Sequence, residues 1–140
     1  MTELLTISCL QTSPQGTFRD ASNEALSLAE KAMGKKPSII LLPEYCGGLK
    51  SKEGRFIPPH SREEEHPVLL ALQDFAEQNK VWISVGSVAI TGENGKYFNR
   101  SILIDSIGHI KCRYDKIHLF DINLADNINS FQESATVQCG

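Results

Sequence analysis

The first forty residues alternate between apolar runs and a segment in which apolar residues recur at helical spacing. Residues 4–10, LLTISCL, are mostly apolar and predict a first strand that is covered on both faces. The pattern over 21–33 predicts an amphipathic helix, which we expect Asp20 to cap. Residues 38–42, SIILL, then predict a second short strand. This strand–helix–strand order indicates a βαβ unit with parallel strands.

The rest of the chain predicts a long loop, a second helix and three strands. Residues 43–62 are rich in glycine and proline and indicate the loop. The acidic run that ends at Pro67 is typical of a helix start, and an apolar stripe continues to Asn79. The stretch from Asn123 onward is polar and is predicted to be irregular. The three strands are predicted over 81–90, 97–105 and 109–119, with an Asn94-Gly95 turn after the first.

The resulting order, β-α-β-α-β-β-β, predicts an α/β fold. Its mixed sheet starts parallel, ends in antiparallel hairpins and is flanked by helices. Nothing in the sequence resembles a low-complexity linker. Residues 1–140 are therefore expected to form a single domain or part of one.

Composition and charge narrow the classes of function. The chain is 41% hydrophobic and 22% charged, with a net charge of −3, as in ordinary soluble globular proteins. It has no basic tail or stripe, and no apolar run approaches the roughly 20 residues of a membrane-spanning helix. We predict neither nucleic acid nor membrane as a partner. The N-terminus lacks the features of a secretory leader, which favours the cytoplasm.

Cysteine and histidine spacing argues against a bound metal. The four cysteines and four histidines are scattered, without the close pairs of zinc sites or redox motifs. Cys9 and Cys112 lie in apolar runs and are interpreted as core residues. We predict free thiols in a reducing compartment, and neither a metal nor a cofactor.

A lysine interrupts the apolar face of the last predicted strand. If that strand alternates strictly, Ile110, Cys112, Tyr114 and Lys116 share one face. A buried ammonium is costly unless it is paired. Lys116 is interpreted either as a side chain that reaches solvent at the sheet edge or as a cation that stabilises a developing oxyanion.

Two glutamates are candidates for sites near this lysine. Glu44 follows the second strand, at the carboxyl edge where ligands of α/β sheets gather. Apolar neighbours would partly desolvate its carboxylate and make it a general base, and the alternative is an ordinary surface glutamate. Glu133, taken alone, is interpreted as a loop residue.

Three motifs, found in order along the chain, resemble the nitrilase (carbon–nitrogen hydrolase) superfamily. They are LLPEY at 41–45, YDKIHLFD at 114–121 and FQES at 131–134. The residues FDI at 120–122 and FQES at 131–134 are most similar to the amidase branch that includes omega-amidase and deaminated-glutathione amidase. The resemblance implies an α-β-β-α sandwich, of which this chain supplies half.

The resemblance also implies a role for each motif. In that superfamily a Glu-Lys-Cys triad, assisted by a second glutamate, cleaves non-peptide carbon–nitrogen bonds. Carried over by motif, Glu44 is expected to activate a thiol and Lys116 to stabilise the tetrahedral intermediate. Glu133 is expected to position the substrate and hold the lysine. The implied reaction is hydrolysis of a small linear amide with release of ammonia.

The nucleophile that the resemblance implies belongs to a later motif. We expect residues 1–140 to stop before it and to be inactive alone. Cys46 and Cys139 lie near the glutamates, but neither has the strand-to-helix elbow that presents a thiolate. Cys139 also stands where the superfamily usually has proline.

Two alternative functions remain open at this stage. One is a non-catalytic scaffold relative that kept the fold, and the other is a flavodoxin-like nucleotide-binding domain. A strand ending in cysteine soon after Gly140 would favour the enzyme. The resemblance also implies that the full-length protein forms a homo-oligomer through its outer surfaces.

Overall fold

The computed structural model describes residues 4–52, 55–122 and 131–140, and shows a mixed β-sheet with two helices against one face. In chain order the elements are β1 (Ile7–Cys9), α1 (Phe18–Met33), β2 (Ile39–Leu41), β3 (Lys50–Lys52), β4 (Arg55–Ile57), β5 (His60–Ser61), α2 (Pro67–Asn79), β6 (Trp82–Thr91), β7 (Tyr97–Ile104), β8 (Ile110–Asp115), β9 (Asp121–Ile122) and β10 (Phe131–Gln132).

The strand order confirms the predicted α/β class. Within the described ranges, six strands form the main sheet in the order β1-β2-β6-β7-β8, and β5 pairs with the far end of β6. β1, β2 and β6 are parallel, while β6, β7 and β8 form antiparallel hairpins. Because parallel crossovers are right-handed and the strands advance in one direction, α1 and α2 lie on the same face. None of the described helices is long and apolar enough to cross a membrane.

The core lies between these helices and the sheet. Strand alternation turns Ile40, Ile83 and Ile102 towards the helices, where all three are buried. The stripe of α1 that meets them is made of alanines, so the helix can pack close to its neighbours. The buried residues contributed by the two helices are Ala21, Ala25, Ala29, Val68, Leu69, Leu72, Phe75 and Ala76.

Among the described residues the opposite face of the sheet is covered only in part, where Ala89 and Tyr97 are buried against Val137, Tyr45 and Leu119. Ile7 of β1 and Trp82 of β6 are exposed on the uncovered part. The prediction that the first strand is covered on both faces is therefore wrong for the described residues. Among the described strands β1 lies at the edge of the sheet, and the helices cover only one side of it.

β8 also lacks the single inward face predicted for it. The register with β7 shifts between Cys112 and Ile110, which leaves Lys111 as an extra residue without a partner in β7. Ile110 and Cys112 therefore point to opposite faces of the sheet, although they are two positions apart. Ile110 packs against the core, whereas Cys112 and Tyr114 are exposed on the open side. Because Cys9 is exposed in the same way, the interpretation of Cys9 and Cys112 as core residues is wrong.

Several local details differ from the predictions. α1 is capped by Thr17, whose hydroxyl accepts a hydrogen bond from the amide of Asp20 at 3.1 Å. Residues 63–65 form a 3₁₀ turn, and α2 begins after it at Pro67. The predicted loop over 43–62 contains the β3–β4 hairpin and β5. The predicted Asn94-Gly95 turn is confirmed, because both residues have positive φ angles, 53° and 75°.

The last described segment carries one of the predicted site residues. The stretch predicted to be irregular begins with residues 123–130, which lie outside the described residues. From Phe131 onward the chain is ordered: β10 pairs with β9, and Glu133–Ala135 form a 3₁₀ turn. This part of the prediction is wrong, because pairing with β9 and β7 fixes the segment against the sheet.

Candidate active site

Glu44 is presented by a tight connection at the end of β2. The amide of Ser87 donates to the carbonyl of Pro43 at 3.3 Å, and the amide of Tyr45 donates to the Ser87 hydroxyl at 2.9 Å. Tyr45 adopts a left-handed φ of 53°, which turns the chain directly after the glutamate. A side chain at Gly86 would overlap the backbone at Pro43. These contacts fix Glu44 at the carboxyl edge of the parallel strands, as the sequence predicts.

Lys116 follows immediately after β8. Its amide donates to the carbonyl of Asn99 at 3.0 Å, and its own carbonyl accepts from the amide of Gly140 at 3.1 Å. Its side chain is 28% exposed, so it is partly buried rather than enclosed. The end of one strand and the last described residues thus hold the lysine from both sides.

Glu133 is the most deeply placed of the three predicted residues. Its side chain is 5% exposed. The carboxylate accepts hydrogen bonds from the amide of Phe120 at 2.6 Å and from the hydroxyl of Tyr45 at 3.2 Å. A buried carboxylate with several donors is held in one orientation.

The three predicted residues meet at one point. The Nζ atom of Lys116 lies 3.1 Å from Oε1 of Glu44 and 3.0 Å from Oε2 of Glu133. One ammonium is therefore shared by two carboxylates. The expectation that Glu44 is desolvated is wrong for the described residues, because its side chain is 55% exposed towards the open face of the sheet.

The electrostatics favour the charged forms of Lys116 and Glu133. Burial by itself lowers the pKa of Lys116, but the hydrogen bonds and charges of Glu133 and Glu44 outweigh it, so that this pKa lies above its ordinary value. Burial likewise raises the pKa of Glu133. The amide of Phe120 and the Lys116 ammonium outweigh that effect and lower it below the usual range.

Asn99 is a member of the site that the sequence patterns did not indicate. Its side chain is buried and donates to Oε1 of Glu44 at 2.7 Å and to Oε1 of Glu133 at 3.5 Å. The available signal was a neutral polar residue between Phe98 and Arg100 in β7, beside the strand that precedes Lys116. Polar residues inside strands are common on open faces, so this signal alone did not single it out.

Two clefts meet at the Glu44–Lys116 contact. The larger has a volume of about 310 Å³, which is enough for a small organic molecule, and its walls are mostly apolar: Tyr45, Leu49, Phe56 and Phe120. The smaller, of about 220 Å³, is also lined by Gly86, Ser87, Asn99, Ser101 and Tyr114.

No cysteine of the described residues lines either of these clefts. Cys46 follows Glu44 closely in sequence but is buried, with its thiol directed to the carbonyl of Ser87 at 3.4 Å. Burial raises the pKa of the Cys46 thiol to about 12, so the thiol stays protonated at neutral pH. Cys139 is exposed, and its thiol contacts the carbonyl of Ile117 at 3.2 Å.

The chain resembles known amidases along its length. Residues 6–138 match the family model described as carbon-nitrogen hydrolase. The chain is 28% identical to a deaminated glutathione amidase of Dictyostelium discoideum, over 100% of this chain and 50% of that protein. It is 30% identical to a deaminated glutathione amidase of Synechocystis, over 95% of this chain and 48% of that protein. It is also 30% identical to an omega-amidase of Xenopus laevis, over 86% and 42% respectively.

Solved structures show the same fold. The NitFhit protein of C. elegans superposes with a TM-score of 0.75 at 20% identity, over 98% of this chain and 34% of that chain. A nitrilase superfamily member of Saccharomyces cerevisiae superposes with a TM-score of 0.73 at 18% identity, over 97% and 48%. The chain spans about half the length of the curated relatives it matches.

Proposed function

Because the chain belongs to the carbon–nitrogen hydrolase family, we propose that it supplies the general base and the oxyanion-stabilising cation of an amidase. The observation that carries this proposal is the position of Lys116 Nζ between Glu44 and Glu133, at 3.1 and 3.0 Å. These groups line a cleft large enough for a small amide. Amidases among the relatives support this class of reaction.

The geometry allows a thioester mechanism. Glu44 accepts the proton of a thiol, and the resulting thiolate attacks the amide carbon. Charge then develops on the carbonyl oxygen, where the Lys116 ammonium stabilises it. Protonated Glu44 gives its proton to the departing nitrogen, and ammonia leaves. Water, deprotonated by Glu44, then cleaves the thioester and releases the acid and the thiol.

The thiol itself is proposed to come from outside residues 1–140. Two observations support this: the chain spans about half the length of its relatives, and the described part of each cleft has no cysteine. We propose that residues 1–140 belong to one catalytic domain completed by further sequence, and that they do not turn over amides alone. A homo-oligomeric, cytoplasmic protein remains part of this proposal.

The proposal predicts the effect of removing each charge. In the full-length protein, Lys116→Met roughly keeps the side-chain volume and removes the cation. We expect the rate of ammonia release from short ω-amides to fall by about 10²- to 10³-fold. Glu44→Gln should be at least as damaging, because the thiol then stays protonated. Ammonia release measures both effects, and mass spectrometry detects the acyl-enzyme.

His118→Gln is the matched control, because His118 is exposed in the same loop as Lys116. This variant should hydrolyse amides at the wild-type rate. If Lys116→Met also does so, the role given to the lysine is wrong. A folded full-length protein that hydrolyses none of the amides would favour the non-catalytic scaffold. An acyl adduct on residues 1–140 alone would place the nucleophile on one of their own cysteines.

A further inference from the structure

Four charged side chains form a network on the helix side of the sheet, behind the site. The guanidinium of Arg100 in β7 donates two parallel hydrogen bonds to the carboxylate of Asp115 in β8, each with an N···O distance of 2.7 Å. We call this two-bond contact a fork. Arg100 also contacts Glu63 at 2.9 Å. Arg113 contacts the same glutamate at 2.7 Å. Glu63 thus lies between two arginines of adjacent strands and offsets their mutual repulsion.

Strand alternation places this network directly behind two residues of the site. Asn99 precedes Arg100 in β7, and Lys116 follows Asp115 at the end of β8. Arg100 and Asp115 are opposite each other in the register, and the next backbone contact is the hydrogen bond from Lys116 to Asn99. In both places the network residue and the site residue are consecutive in the chain, so their side chains point to opposite faces of the sheet.

We propose that the Arg100–Asp115 pair positions Asn99 and Lys116, and so sets the distance between the lysine and the two glutamates. This inference rests on the proposed function for its effect on rate, but not for its effect on the position of Lys116. Arg100 and Asp115 touch no reacting group. They act through the ends of the two strands.

The burial and geometry of the pair distinguish it from an ordinary surface ion pair. The side chains of Arg100 and Asp115 are 19% and 22% exposed, whereas those of Arg62 and Glu64 are 68% and 62% exposed. Exposed ion pairs do little to fix the backbone, because water screens their charges and both side chains move freely. A two-bond fork fixes direction as well as distance, and lysine cannot reproduce it.

The end of β8 needs such a contact. Lys116 lies where the ladder to β7 finishes, and no described strand pairs with the other edge of β8. A strand end held by backbone hydrogen bonds alone opens locally with little cost. The fork closes the ladder at its last pair, beside the residue whose ammonium must stay in place.

Conservative variants of the full-length protein test the proposal. Arg100→Lys keeps the charge and loses the fork, and Asp115→Asn keeps the shape and loses the charge. Each should lower kcat by about 10- to 100-fold with KM changed less than about threefold, because the lysine is displaced from the reacting carbonyl. The double variant should be no worse than the more severe single variant, since both remove one contact. Arg62→Lys should leave kcat within about twofold.

A second measurement follows Lys116 itself and needs no amidase activity. The pair of carboxylates keeps the wild-type amine protonated, so it should react slowly with an acylating reagent at pH 8. In Arg100→Lys and in Asp115→Asn the rate of labelling at Lys116, measured by mass spectrometry, should rise about tenfold, because the displaced amine loses part of the pairing with Glu133 and Glu44 that raises its pKa. Arg62→Lys should label at the wild-type rate.

These measurements separate the two proposals. If the wild-type full-length protein has no amidase activity but Lys116 is labelled faster in the two variants than in wild type, the positioning role is supported and the proposed function is contradicted. Folded variants with wild-type labelling at Lys116 contradict the positioning role, whatever their activity. If Arg100→Lys does not fold, Asp115→Asn decides the matter by the same two readouts, with circular dichroism as the check on folding.

Discussion

At the scale of single residues, the site is a balance of charges. One ammonium, on Lys116, lies between the carboxylates of Glu44 and Glu133. Asn99 and Tyr45 add neutral donors, which hold the carboxylates without cancelling their charge. A second cation there would neutralise the base, whereas an amide or a hydroxyl orients it and leaves it able to accept a proton.

A second titratable residue affects stability rather than chemistry. His66 is fully buried at the start of α2, packs edge-on against Phe18, and neither of its ring nitrogens has a hydrogen-bond partner in the described structure. Burial lowers the pKa of His66 to about 4. The imidazole is therefore neutral in the folded protein at neutral pH, and the folded state resists its protonation.

This predicts an acid-dependent loss of stability. Below about pH 6.5 the unfolded chain binds a proton at His66 and the folded chain does not. The free energy of unfolding therefore decreases as the pH is lowered. The loss is complete once the pH reaches the folded pKa of about 4, and its size is roughly 3 kcal/mol. His66→Phe, measured by urea unfolding from pH 7 to pH 4, should lose that much less than wild type. His118→Gln should keep the wild-type slope, and an equal slope in His66→Phe would contradict the argument.

At the scale of elements, the order of strands and helices and the place of Glu44 could be predicted from the sequence. Those features depend on local periodicity and on the ends of apolar runs, which the sequence shows directly. The face of β8 could not be predicted in this way. A single extra residue, Lys111, exchanges the two sides of the strand, and nothing in the local pattern marks it.

The remaining differences have two causes, one local and one that depends on contact between distant residues. Thr17 caps α1 because its extended backbone conformation lets its hydroxyl meet the amide of Asp20, and both residue types are good caps in sequence. Glu133 is fixed because its short segment pairs with β9 and its carboxylate accepts the amide of Phe120. The site therefore required the resemblance of motifs, since spacing alone does not bring residue 44 beside residue 133.

The connection after β2 predicts a difference between two glycines. In Gly86→Ala the new methyl group meets the backbone of Leu42 and Pro43, so the connection that presents Glu44 must move. We expect a loss of at least about tenfold in amidase rate and a destabilisation on the order of 1–3 kcal/mol. In Gly95→Ala the methyl group meets nothing within 4 Å, but the positive φ of 75° strains the turn. That variant should lose about 1 kcal/mol and keep its rate. Equal rates in the two variants would contradict the proposed position of Glu44.

At the scale of the whole molecule, the described residues form a sheet with one covered face and one partly open face. The helices bury a contiguous core on one side. On the other side, Ile7, Trp82 and Tyr114 are exposed, and the site opens towards the same side. An apolar sheet face of this kind is normally covered by another layer of protein. The chain spans about half the length of its relatives, and we propose that further sequence supplies a second layer here.

The single tryptophan of the chain reports on that covering layer. Trp82 lies on the open face and is exposed, so in isolated residues 1–140 its emission should be at long wavelength and readily quenched by iodide. The same fragment should bind a hydrophobic dye or self-associate. In the full-length protein we expect emission at shorter wavelength with little quenching, because the proposed second layer excludes water from the indole.

The control is a Phe75→Trp reporter in a Trp82→Phe background, which places the indole in the helix-side core. Its emission should be at short wavelength, with little quenching, both in residues 1–140 and in the full-length protein. Identical Trp82 emission and quenching in a monomeric fragment and in the full-length protein would show that nothing further covers this face.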